Sequence, residues 1–76
     1  MTQGLISRNV TINGRRTSLR LEIEIWEAVS EICGHENLTV HQLCTIIDGR
    51  RGRSSRTSAI RAFIVAYFRN ASTDEG

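Results

Sequence analysis

Arg15-Arg16-Thr17-Ser18-Leu19-Arg20-Leu21 decides how the rest of the chain is read. Side chains in a strand alternate with period two, so Thr17, Leu19 and Leu21 share one face and Arg16, Ser18 and Arg20 share the other. One face asks for a core. The other sets two guanidiniums around a hydroxyl. An isolated strand leaves its edges unpaired and does not stand alone, so this one requires a partner strand. The residues on either side must supply it, or a second copy of the chain must.

Upstream, Arg8-Asn9-Val10-Thr11-Ile12 alternates in the same way and is followed by Asn13-Gly14. That dipeptide favours the two-residue type I′ turn of a β-hairpin. A hairpin over residues 8–21 is therefore expected, with residues 1–7 as a flexible arm. Downstream the period changes. Ile25, Trp26, Val29, Ile32 and Cys33 recur at helical spacing opposite Glu24, Glu27 and Glu31, which predicts a helix over 23–35. Gly34 or Asn37 can take its left-handed cap. Thr39-Val40-His41-Gln42 fits a capping box, with Leu38 and Leu43 placed as a hydrophobic staple, and opens a second helix over 39–49. A basic connector leads to a third helix over 55–69, capped by Ser54, Ser55 or Thr57. Its apolar stripe is Ile60, Phe63, Ile64, Tyr67 and Phe68. Residues 71–76 are expected to form a disordered acidic tail.

The net charge of +2 conceals a sorted arrangement. Arg8, Arg15, Arg16 and Arg20 come first with no acid among them. Glu22, Glu24, Glu27, Glu31, Glu36 and Asp48 follow with no base, and then come Arg50, Arg51, Arg53, Arg56, Arg61 and Arg69. Every base is arginine, whose planar fork suits phosphate, guanine edges and carboxylates. The blocks either attract one another within an assembly or present the first block to a polyanion. Seventy-six residues make one domain with a small core, for which oligomerisation is a common support. No apolar run is long enough to span a membrane and the start lacks signal-peptide character, so a cytoplasmic protein is expected.

The order of strand, helix, tight turn and capped helix resembles the ribbon-helix-helix family of the MetJ and Arc type. The resemblance is carried by Thr17-Ser18-Leu19-Arg20-Leu21, Ile25-Trp26 and Leu38-Thr39-Val40-His41-Gln42-Leu43. It implies a mainly α fold with a short N-terminal β element, built as an intertwined two-fold homodimer. Residues 8–14 and 54–69 add a hairpin strand and an extra C-terminal helix. The missing partner of the opening strand is then its own copy. The resemblance also implies sequence-specific binding of double-stranded DNA, hence a small transcriptional regulator whose ribbon lies in the major groove. By position the base readers are Arg16, Ser18 and Arg20. Arginine donates twice to guanine, and serine serves any base. Phosphate contacts fall to the backbone at Thr39 and Val40, at the head of the second helix, and to Arg15, Arg50 and Arg51.

One dimension tests this. A hairpin in each protomer makes a four-stranded sheet, about 14 Å between its outer backbones, against a major groove about 12 Å wide. The hairpin splays away, or residues 8–14 lie over the DNA backbone, or the fold serves another purpose. The alternative function is an interaction module, antitoxin- or scaffold-like, that engages a protein through the third helix or the basic loop. Enzymatic chemistry is not expected, since no nucleophile–base–acid set and no phosphate-cradling glycine loop is visible. Cys33, His35, His41 and Cys44 have zinc-ligand types. Both cysteines fall on apolar stripes and read as small core residues, so neither metal nor cofactor is expected.

Overall fold

The computed structural model describes residues 4–75. Two strands, β1 (Ile6–Ile12) and β2 (Arg15–Leu21), precede three helices, α1 (Ile23–Glu36), α2 (Val40–Arg50) and α3 (Arg56–Glu75). The strands pair antiparallel from Ile6 opposite Leu21 to Ile12 opposite Arg15. Asn13 (φ 54°) and Gly14 (φ 82°) both take positive φ, as a type I′ turn demands. The fold is thus mainly helical behind a β-hairpin, as the sequence implies.

The hairpin's apolar face closes the core. Val10, Ile12, Leu19 and Leu21 lie against Trp26, Val29, Ile32 and Cys33 of α1, Leu43, Cys44 and Ile47 of α2, and Ile60 and Ile64 of α3. Phe63, Tyr67 and Phe68 pack at its margin and are half-buried. Helix ends follow local chemistry. Asn37 takes the left-handed cap of α1 (φ 61°) and donates to the Cys33 carbonyl. Thr39 and Gln42 form the reciprocal capping box of α2. Ser55 Oγ accepts the Ser58 amide at the start of α3.

Three boundaries depart from expectation. β1 begins at Ile6, because the Ile6 carbonyl accepts the Trp26 indole N–H at 2.9 Å and ties the start of the strand to α1. That part of the expected arm is therefore strand, and residues 1–3 of the arm lie outside those described. α2 runs one residue past the expected end at Gly49, to Arg50, and Gly52 takes a left-handed conformation (φ 59°) in the connector. The tail expected to be disordered from Ala71 continues α3 to Glu75. No glycine or proline stands between Gly52 and Gly76 to stop the helix.

Candidate nucleic-acid interface

The outer face of the hairpin carries Arg16, Ser18 and Arg20 from β2 and, in register opposite them, Thr11, Asn9 and Ser7 from β1. All six are exposed and none is acidic. The Ser7 and Ser18 hydroxyls share a hydrogen bond of 2.9 Å. The three β1 residues follow the same period-two alternation that singled out the β2 set, and this was the available signal for finding them in the sequence.

The two edges of the hairpin differ. A two-residue turn makes Ile12 and Arg15 the closing hydrogen-bonded pair, and bonded and non-bonded pairs alternate from there. Ser7, Asn9 and Thr11 therefore turn their backbone polar groups outward from β1. Arg16, Ser18 and Arg20 turn theirs outward from β2. α2 occupies the β1 edge. The Thr11 amide donates to His41 Nδ1 at 2.9 Å, and the Asn13 amide donates to Thr45 Oγ1 at 3.1 Å. Among the described residues the sheet ends at β2, whose outer edge has no strand beside it. Leu38, Gln42 and Ile46 border an open groove between α2 and the hairpin turn, and Ile46 is 39% exposed there.

The arginines divide into paired and outward-facing sets. Arg51 Nε reaches Asp48 Oδ1 at 2.7 Å and its Nη1 donates to the Ser54 carbonyl, while Arg56 Nε reaches the same Asp48 oxygen at 2.9 Å. Arg51 thus closes the connector, and its guanidinium is engaged within the chain. Arg61 donates through Nε and Nη2 to Glu22 Oε1, joining α3 to the head of α1. The charge blocks attract one another in part, within the chain. The Arg51 hydrogen bond, with the nearby positive charges, holds the Asp48 carboxyl below the usual carboxylate range. A backbone hydrogen bond and then Arg61 do the same for Glu22. Arg8 lies over the Trp26 ring, 5.2 Å from its centroid. Arg15, Arg16, Arg20, Arg50 and Arg53 are exposed.

At the head of α2 the Thr39 amide donates to Gln42 Oε1 at 2.8 Å, which engages that expected phosphate donor internally. The first-turn amides of Val40 and His41 point out of the helix end, as helix geometry requires. A cavity of about 250 Å³ opens here, between Val40 and His41 on one side and Arg8, Asn9 and Ser30 on the other. The cysteines and histidines are dispersed. Cys33 and Cys44 are buried, and desolvation pushes the Cys44 thiol up to about 11. His41 serves the β1 edge. Among the described residues no three of His, Cys, Asp and Glu converge as a metal site would require.

A polar β face backed by three helices and fixed to them along one edge defines a small β-ribbon module. The family model of the ribbon-helix-helix domain matches residues 5–68, and the chain belongs to that family, a non-enzymatic fold whose members generally bind DNA as dimers. No curated protein and no solved structure matches the chain. Among the described residues no helix is long and apolar enough to cross a membrane.

Proposed function

We propose that the chain is a homodimeric, sequence-specific DNA-binding protein, a small transcriptional regulator acting in the cytoplasm. The asymmetry of the hairpin edges carries this reading: α2 covers β1, while β2 keeps its outward backbone groups open beside an acid-free face. Two β2 strands meet antiparallel across a two-fold axis, and pairing centred on Ser18, the midpoint of β2, uses the outward groups of Arg16, Ser18 and Arg20 in both chains. The same three side chains then read base edges from the middle of a four-stranded sheet. Phosphate contacts fall to Arg15 and Arg50 and to the α2 head at Val40 and His41.

The test is selection of bound duplexes from a randomised pool at two salt concentrations, followed by Arg16→Ala and Arg20→Ala. Binding falls steeply with salt, because arginines release counterions from phosphate. Each substitution loses roughly 1–3 kcal/mol of discrimination at its own base pairs. Unchanged affinity in both variants at moderate salt removes the strand as reader. A well-folded monomer by light scattering at micromolar concentration removes the dimer.

One observation favours a second reading. Val65 of α3 is 55% exposed, and Phe68, three residues on and on the same side of the helix, is only partly covered. Such a face suits a protein partner. A pull-down that retains one protein after nuclease treatment, and loses it with Val65→Glu, supports that role.

A further inference from the structure

We propose that β1 is a phosphate clamp: in the dimer the two outer strands ride over the walls of the major groove, and Asn9 and Thr11 hydrogen-bond the phosphodiester backbone while β2 alone enters. This rests on the DNA-binding reading above and extends it from β2 to named side chains of β1. Three strand spacings separate the outer backbones of the β1-β2-β2′-β1′ sheet, about 14 Å. The groove between phosphate walls is about 12 Å. The central pair fits between the walls, and each outer strand falls at a wall.

β1 does not have the freedom to swing aside. The Ile6 carbonyl is held by Trp26, the Thr11 amide by His41 and the Asn13 amide by Thr45. Peeling the strand away breaks all three bonds and exposes Val10 and Ile12, now 2% and 3% accessible. The outward side chains of β1 have the right chemistry for a wall. Hydroxyls and carboxamides donate to phosphate without reading sequence. Ser7 and Ser18 share one hydrogen bond in which either hydroxyl can donate, so it ties Ser7 to the reading strand; Asn9 and Thr11, both exposed, are the wall contacts. Their neutrality sets the clamp apart from the arginines. It adds affinity without adding salt dependence.

The experiment uses the full chain and two fluorescein-labelled duplexes, one selected from a randomised pool by the wild-type protein and one of random sequence. The Asn9→Ala/Thr11→Ala variant removes four neutral hydrogen bonds per dimer. It is expected to bind both duplexes at least about tenfold more weakly, in equal proportion. The slope of log affinity against log salt stays at the wild-type value, since no counterion release is lost. Ethylation interference at the wall phosphates weakens in parallel. Asn9→Asp/Thr11→Glu sets carboxylates against the phosphates and loses more. Both positions are exposed, so the thermal midpoint stays at the wild-type value in each variant. Wild-type affinity in either variant, or a loss confined to particular base pairs, overturns the clamp. If that happens while Arg16→Ala and Arg20→Ala still lose discrimination, only the clamp fails. If the wild-type chain binds neither duplex at low salt, the DNA-binding reading fails and the clamp fails with it.

Discussion

Removing the side chains by which α2 holds β1 should open that strand one amide at a time. Two residues of strand advance about 6.8 Å, and four residues of helix advance about 6.0 Å. His41 and Thr45, one helical turn apart, therefore meet the outward amides of Thr11 and Asn13, which are two residues apart on the strand side. Each bond is exposed and neutral, so its net worth is about 0.5–1.5 kcal/mol. Loss of one bond changes the opening equilibrium of its own amide roughly two- to twelvefold. His41→Ala is expected to speed native-state amide exchange at Thr11 by that factor and leave Asn13 nearly unchanged. Thr45→Val, which keeps shape and removes the hydroxyl, gives the reverse pattern. The double variant exposes a second sheet edge, and edges of this kind add strands from other chains, so assembly beyond the dimer should appear in sedimentation at high concentration. Unchanged exchange at Thr11 in His41→Ala refutes the clasp. Equal acceleration along the whole of β1 also refutes it, because that pattern reports general loss of stability.

Leu21 is wholly buried where the hairpin meets the helices, and Leu21→Ala should cost about 2–5 kcal/mol in chemical denaturation, against about 0.5 kcal/mol or less for the exposed neighbour Arg20→Ala. Burial raises the Cys44 thiol from its ordinary 9.0 to about 11, with smaller pushes from Cys33 and Asp48. The unfolded chain thus releases that proton first, so the contribution of Cys44 to stability is level below pH 9; stability falls between 9 and 11, and falls less in Cys44→Ala. Asp48 and Glu22 are depressed by their hydrogen bonds. The stability they confer is complete above their ordinary values of 3.8 and 4.5 and is lost as pH falls through the lowered ones; acid unfolding of Asp48→Asn and Glu22→Gln should show a shallower dependence there.

The parts of the fold that were legible in the sequence were those whose information is local. Asn13-Gly14 specified its turn, Thr39 and Gln42 specified their cap, and the alternation through Leu19 and Leu21 specified which face is buried. What was not legible depended on pairs distant in sequence. Nothing local in the sequence marks His41 and Thr45 as partners of a strand; only the packing of α2 beside β1, about thirty residues away, gives them the strand edge. Arg51 looked available to phosphate until Asp48 and Ser54 took both sides of its guanidinium. The end of α3 is hidden in the sequence for another reason. Asn70 is a permissible stop, but nothing after it requires one.

The pairing proposed for β2 has an electrostatic cost that bears on what its face is for. Centred on Ser18, it sets Arg16 directly across from the partner's Arg20, twice by symmetry. Like charges opposite one another across a sheet cost roughly 0.2–1 kcal/mol per pair. A face meant only for water has no reason to bear that cost, since an acid at either position relieves it. A polyanion laid along the ribbon relieves it too, and so does salt, by screening. The dimer should therefore tighten as salt rises, roughly two- to thirtyfold in dissociation constant at full screening of both pairs, while DNA affinity falls over the same range. Arg16→Gln abolishes the first dependence and weakens the second. Sedimentation equilibrium at 50 mM and 500 mM salt measures the first, and a wild-type dimer that weakens as salt rises rules out the Ser18-centred alignment of the arginines.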